Sequence, residues 1–114
     1  MNAALLAAMI LVESNGNPRA VGDEGRSIGI LQISRGVVDD VNRIRGTNYR
    51  WPDDCFDRKK SVEICFAYLS WYGGKSKSPE KFARIWNGGP RGHRNPDTRA
   101  YWRRVRAAME SQSK

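Results

Sequence analysis

The sequence has few of the residues that build metal sites or disulfide frameworks. Its 114 residues include one histidine and two cysteines, Cys55 and Cys65, which do not form a C-x-x-C pair. One imidazole and two separated thiols make no convincing set of metal ligands, and nothing in the chain implies an organic cofactor. We interpret the cysteines as free thiols; the alternative, a disulfide between them, would stabilise the fold by about 3 kcal/mol.

Long apolar runs are also absent. None reaches the roughly 18 residues that a transmembrane helix needs, so no membrane-spanning segment is expected. The apolar segment 3–12 lacks the basic residues that open a signal peptide, and we interpret it as a core helix. No export signal is therefore evident, and the sequence assigns no cellular location.

Acidic residues are in the minority, because 20 Lys and Arg stand against 12 Asp and Glu and give a formal net charge of +8. Such an excess favours polyanionic partners, namely cell-wall polymers, anionic membrane surfaces or nucleic acid. A basic surface that only aids solubility is the alternative. With 39% hydrophobic and 28% charged residues, the chain is globular. Its length fits a single domain over residues 1–114, which we expect to be monomeric.

Hydrophobic periodicity predicts helices and little else. The predicted helices cover residues 2–12, 34–45, 57–72 and 78–88, and a last helix begins at Asn95. Ser34 and Asp57 are candidate N-caps, and Pro79 occupies a first helical position. Residues Ile30–Ile33 are predicted as a short strand or extended turn. Because there is neither an internal repeat nor a strand–helix alternation, the predicted class is all-α with at most a small β element.

The stretch Glu13–Ile33 contains the candidate chemistry. Glu13 ends an apolar run, where a low dielectric raises the pKa of a carboxyl group and suits it to donate a proton near neutral pH. The loop that follows contains the carboxylate pair Asp23 and Glu24. Two carboxyl groups in different environments, one apolar and one wet, are typical of enzymes that cleave a glycosidic bond.

Four sequence blocks are similar to those of one known superfamily. They are Glu13-Ser14 with Asn17-Pro18-Arg19-Ala20, Gly29-Ile30-Leu31-Gln32-Ile33, Ile85-Trp86-Asn87-Gly88-Gly89, and the spaced residues Thr98, Tyr101 and Val105. In content and order they resemble the lysozyme-like superfamily, specifically the goose-type lysozymes and the soluble lytic transglycosylases. The resemblance implies a compact lysozyme-like domain with a substrate cleft. The small size resembles phage lysis enzymes.

The resemblance also implies roles for individual residues. Glu13 resembles the general acid of these families, and Asp23 has the spacing of the goose-type aspartate that positions a water. The implied substrate-binding residues are Ser27, Gln32, Trp86, Asn87 and Tyr101. Trp86 departs from the tyrosine of the families and therefore lacks the hydroxyl that orients the acid. Its ring is expected either to stack on a sugar or to lie in the core.

Each role has a structural alternative. Asp23 is flanked by a glycine and can form an Asx turn, Gln32 can close a turn, and Tyr101 can be a core partner of Val105. Arg91, His93 and Arg94 form a basic loop. This loop is either solvated or a contact for peptide-stem carboxylates or wall phosphates.

The function that the resemblance implies is cleavage of the β-1,4 bond between N-acetylmuramic acid and N-acetylglucosamine in peptidoglycan. The expected partners are glycan strands and the anionic wall surface, and nucleic acid is not expected. The close alternative is a lytic transglycosylase, which leaves 1,6-anhydromuramic ends. A distant alternative is a non-catalytic basic module that binds nucleic acid or wall polymer, favoured by the arginines of the last helix.

Overall fold

The chain is predominantly helical. The structure is a computed structural model that describes residues 1–112. Its α-helices are α1 (Ala3–Ser14), α2 (Arg35–Arg45), α3 (Arg58–Gly73), α4 (Pro79–Gly88) and α5 (Arg99–Gln112). Short 3₁₀ turns lie at Asp23–Gly25, Asp53–Phe56, Gly92–Arg94 and Pro96–Thr98. The predicted all-α class is confirmed. None of the helices in the described part of the chain has the length and apolarity of a membrane span.

A two-stranded hairpin is the small β element. Its strands, β1 (Val21–Gly22) and β2 (Ser27–Ile28), pair antiparallel. Of the two alternatives predicted for Ile30–Ile33, a short strand or a turn, the structure has the turn, and Ile33 adds an isolated bridge to Ile28. The residues between these two form a turn with left-handed backbone at both ends, φ +80° at Gly29 and +51° at Gln32. A strand requires extended backbone, which these two residues interrupt.

Local signals set most helix ends. The Ser78 hydroxyl accepts from the Lys81 backbone N–H at 3.2 Å, and the Asp57 carboxylate accepts from the Lys60 N–H at 2.9 Å, so both predicted caps form. Ser34 occupies the N-cap position of α2, as predicted, but its side chain makes no capping hydrogen bond. Helix α1 continues two residues past its predicted end at residue 12, which places Glu13 in its last turn.

The chain forms two compact units, one of residues 1–12 and 69–112, the other of Glu13–Tyr68. A single domain over residues 1–114 stays a prediction. The buried apolar residues of the second unit are Ile28, Ile30, Leu31, Ile33, Val38, Val41, Cys55, Ile64, Cys65 and Tyr68. Those of the first are Leu5, Ala8, Met9, Ile10, Leu69, Phe82, Ala83, Ile85, Trp86, Tyr101, Val105 and Ala108.

Candidate active site

The end of helix α1 presents Glu13. Its side chain is half-buried, and the next residue, Ser14, joins the helix end to the turn that follows the hairpin. The Ser14 hydroxyl donates to the Ile30 carbonyl at 2.8 Å and accepts from the Gly16 N–H at 3.2 Å. Because Ser14 is adjacent to Glu13, this pair of bonds limits how the last turn of α1 moves relative to the turn at Gly29–Gln32.

A buried thiol lies within electrostatic reach of Glu13. Burial raises the pKa of Cys65, and the negative charge of the Glu13 carboxylate raises it further. Burial likewise raises the pKa of Cys55 to about 12, with a smaller effect from Asp54. Both thiols therefore stay protonated at neutral pH, and both are free, as predicted.

The turn between the two strands carries Asp23. Its side chain is exposed, and its backbone is left-handed, with φ +50°. The Ser27 hydroxyl, which is buried, donates to Asp23 Oδ2 at 2.5 Å. The Arg26 Nε donates to the Asp23 carbonyl at 3.0 Å. These bonds hold the aspartate at the tip of the hairpin, and the Ser27 hydroxyl orients its carboxylate.

The amide of Gln32 is engaged inside the same segment. Its Nε2 donates to the Ala20 carbonyl at 3.2 Å and to the Gly29 carbonyl at 3.0 Å. Two donated bonds use both hydrogens of the amide. Its Oε1 lies so close to Gly22 that a Cβ there would stand 2.3 Å from it. Gln32 therefore closes the turn. Its contact with substrate stays a prediction, and the amide oxygen Oε1 is the atom left to make it, because both amide hydrogens are used.

Gly29 fits where no other residue would. It has φ +80°, and its N–H donates to the Ala20 carbonyl at 2.8 Å. A Cβ at this position would lie 1.8 Å from the Cys55 carbonyl oxygen, far below a normal van der Waals contact. The close approach of these two backbones is what fixes the turn against the 3₁₀ turn Asp53–Phe56.

The other predicted site residues belong to the unit that contains α4 and α5. Trp86 is 9% exposed and Tyr101 3%, whereas Asn87, on the next position of α4, is exposed. This burial agrees with the alternative interpretation of Trp86 and Tyr101 as core residues. A substrate contact of all three residues stays a prediction, and Asn87 is the side chain of the three that solvent reaches most readily.

Sequence reasoning missed a buried arginine. Arg84 donates from Nε to the Thr98 hydroxyl at 2.8 Å, from one terminal nitrogen to Glu80 at 2.7 Å and from the other to the Asn95 carbonyl at 3.1 Å. Thr98 in turn donates to the Gly92 or the Asn95 carbonyl. Only the i, i+4 spacing of Glu80 and Arg84 signalled this network in the sequence. It holds the predicted basic loop against α4.

No metal centre emerges from residues 1–112, where no group of three or more His, Cys, Asp or Glu side chains is placed to hold an ion.

A family model, the transglycosylase SLT domain, matches residues 1–108. The chain belongs to the transglycosylase SLT domain family. The chain is also similar to lysozyme 1 of Crassostrea virginica, 59% identical over 84 residues, and to the lysozyme of Magallana gigas, 37% identical over 83. These matches cover 71% and 69% of this chain but 44% and 58% of the relatives. The chain thus spans about half the length of the curated relatives it matches.

A solved structure confirms the lysozyme-like fold of this SLT domain. A chain of the crystal structure of Aeromonas hydrophila PliI in complex with Meretrix lusoria lysozyme superposes with a TM-score of 0.78 and 26% sequence identity. The match covers 94% of this chain and 89% of that chain. The resemblance drawn from the four sequence blocks is therefore confirmed at the level of family and fold.

Proposed function

We propose that this SLT domain cleaves the β-1,4 bond between N-acetylmuramic acid and N-acetylglucosamine in peptidoglycan, with Glu13 as general acid. Membership of the SLT family and the lysozyme relatives support the class of reaction and the substrate. Glu13 donates its proton to the glycosidic oxygen, so that the leaving sugar departs as an alcohol and positive charge develops on the muramic ring.

One observation carries this assignment above all, the bond from the Ser14 hydroxyl to the Ile30 carbonyl. A general acid works only when it is held in a fixed place relative to the groups that bind the sugar. Through Ser14, the helix turn of Glu13 is tied to the segment whose geometry depends on Gly29 and Gln32. These are the residues that carry the family resemblance, and the bond joins two of its blocks.

The surroundings of Glu13 suit an acid. Its side chain is half-buried, and its negative charge adds to the effect of burial in raising the pKa of the Cys65 thiol. A general acid of a glycosidase must donate its proton to the glycosidic oxygen from a positioned side chain.

Asp23 is our candidate for the second role. Its carboxylate is exposed, and Ser27 binds one of its oxygens and leaves the other to accept from a water. In the hydrolytic reaction, Asp23 takes a proton from that water while the water oxygen bonds to the anomeric carbon with inversion. Glu24, the neighbouring carboxylate, is exposed as well and is the substitute for this role.

The products decide between water and an internal nucleophile. Purified peptidoglycan would be digested and the released sugar ends identified by mass spectrometry. Reducing muramic ends are expected from attack by water. Since hydrolysis needs a second carboxylate, Asp23→Asn should lower the yield of reducing ends at least as much as it lowers total turnover.

The second candidate is a lytic transglycosylase, and the family model that matches the chain favours it. In that reaction the 6-hydroxyl of the muramic residue attacks its own anomeric carbon, and Glu13 first gives and then takes a proton. Asp23 has no part in such a step. Predominant 1,6-anhydro ends, together with an Asp23→Asn variant that is nearly as active as the parent, would establish this reaction instead.

A further inference from the structure

A cavity of about 240 Å³ lies at the start of helix α4. It is lined by Ser78, Glu80, Lys81, Arg84 and His93. Pockets that take whole small ligands span about 300–1,000 Å³, whereas a water in the liquid occupies about 30 Å³. The cavity is therefore large enough for one functional group with its neighbouring atoms, and it is too small for a sugar chain.

The lining is cationic in balance. Glu80 is its one carboxylate, and Arg84 pairs with it at 2.7 Å. Lys81 forms no ion pair within residues 1–112 and so leaves one positive charge uncompensated at the cavity. Two further nitrogen groups line the cavity without adding a net charge: Arg84, 8% exposed, is already paired, and His93 Nδ1 is buried without a hydrogen-bond partner in the described part of the chain.

We propose that this cavity binds a carboxylate of the peptide stem of peptidoglycan. The source of the carboxylate rests on the proposed function, whereas the preference for a single negative charge rests on the cavity itself. Lys81 offers one unpaired charge, and the Glu80 carboxylate repels an incoming dianion such as phosphate. A carboxylate fits this balance of charge, and its planar group fits the available volume.

Each lining residue has a distinct part in the binding. The Lys81 ammonium is the charge partner and has three hydrogens to donate. Ser78 accepts from the Lys81 backbone N–H, which leaves its hydroxyl hydrogen available to the carboxylate. The first turn of α4 adds the positive end of its dipole. Arg84, already bonded to Thr98, Glu80 and Asn95, holds the walls in place.

His93 is a built-in reporter of binding, since it is the single histidine of the sequence. Its pKa is lowered by burial first and then by the positive charges of Lys81, Arg94 and Arg84. The charged groups around it are thus these three cations and Glu80 in the cavity lining. A carboxylate bound beside them offsets their charge, and the pKa of His93 should then rise.

The test is a pH titration of the His93 ring signals by NMR, on the full chain, with and without muramyl dipeptide. This compound has a free carboxylate and no β-1,4 bond, so the readout is independent of catalysis. Binding should raise the pKa of His93, while the peptide with its carboxylate converted to an amide should leave it unchanged. Lys81→Gln should weaken binding about tenfold, as expected when a charged hydrogen bond is lost. Lys75→Gln, which removes a charge from an exposed position outside the cavity, should not.

Three results would overturn the proposal. They are an equal shift with the amide or with neutral N-acetylglucosamine oligomers, tighter binding of inorganic phosphate than of the dipeptide, and equal loss of affinity in the two lysine variants. Two measurements on Glu13→Gln separate this proposal from the proposed function. The titration tests the cavity, because binding of the dipeptide does not need the acid. Wall cleavage tests the acid: if the variant still cleaves walls, the assignment of Glu13 fails, whatever the cavity binds.

Discussion

At the scale of single residues, the environment of Glu13 determines what it can do. The carboxylate sits in the last turn of α1, half-buried, and it influences the Cys65 thiol. Asp23, by contrast, is exposed at the tip of a hairpin and bonded to Ser27. One carboxyl group is thus shielded and the other is open to water, and this difference is the physical basis for giving them different roles.

Replacement of Glu13 by Gln should leave the fold intact and remove nearly all wall-lysing activity, because an amide has no proton to give at neutral pH. We expect a loss of at least 100-fold, the lower end of what general acid catalysis contributes. Turbidity of a wall suspension measures the activity, and circular dichroism the fold. A folded variant with half of the parent turnover would exclude Glu13 as the acid.

Asp23 and Ser27 should behave as a coupled pair if the bond between them orients the carboxylate. We expect Asp23→Asn to reduce kcat strongly with little change in KM. Ser27→Ala should cause a smaller loss of the same kind, and the double variant should be no worse than Asp23→Asn alone. Additive losses in this cycle would show that Ser27 acts on something other than Asp23.

At the scale of elements, the candidate site depends on contacts between short segments. The turn Gly29–Gln32, which follows the hairpin, is closed by Gln32 bonds to Ala20 and Gly29, and it meets the helix end through Ser14. Few of these contacts are between chain neighbours. The turn is therefore sensitive to a side-chain atom added where two backbone segments meet.

Gly29→Ala should lower the free energy of unfolding by about 3 kcal/mol, since it adds left-handed strain to a steric clash with the Cys55 carbonyl. Gly16→Ala is the matched control, because its φ is also +80° but a Cβ there meets nothing within 4 Å. It should cost about 1 kcal/mol, the strain alone. Urea denaturation measures both. Equal losses would show that the contact with Cys55 relaxes freely.

Ser14→Ala should lower turnover more than affinity, because it frees the last turn of α1 from the Ile30 carbonyl. The lost bond should also cost about 1–2 kcal/mol of stability. Ser14→Thr keeps a hydroxyl and should restore most of the turnover. If Ser14 acted only on stability, turnover would not depend on whether the residue has a hydroxyl. Wild-type kcat in a folded Ser14→Ala would remove this residue from any positioning role.

At the scale of the whole molecule, charge dominates. The formal net charge is +8, and α5 exposes arginines that have few acidic neighbours. Arg106 pairs with Glu110 at 3.2 Å and Arg104 lies 5.8 Å from the centroid of the Tyr101 ring. An excess of exposed positive charge attracts polyanionic surfaces over distances comparable with the Debye length, about 10 Å at 0.1 M salt.

Lysis of whole cells should therefore decline as ionic strength rises, because screening weakens the attraction to an anionic wall. Cleavage of a small neutral glycan should change much less, since its encounter with the enzyme depends little on charge. Parallel assays at about 0.05 and 0.5 M salt, roughly one-third and three times the physiological ionic strength, compare the two. Binding to walls that is steeply salt-dependent in both the parent and Glu13→Gln, without any cleavage, would favour the non-catalytic module.

Much of the helical framework follows from the sequence alone. Apolar spacing near 3.6 residues, the Asp57 and Ser78 caps and Pro79 act over one or two turns, so they operate in any context that keeps the helix. The candidate acid at Glu13 and the positive charge were likewise predicted without a structure, whereas the disulfide alternative for Cys55 and Cys65 stayed open until their free thiols were seen. Local interactions between near neighbours are sufficient for these features.

The tertiary structure decided what depends on distant partners. The hairpin formed at residues 21–28 and not at Ile30–Ile33, because the left-handed turn at Gly29 is fitted against the Cys55 carbonyl from another part of the chain. The burial of Arg84 and the engagement of the Gln32 amide follow from the same cause. Hydrogen-bond partners and burial arise only when remote segments pack, and no local pattern in a single sequence specifies which segments those are.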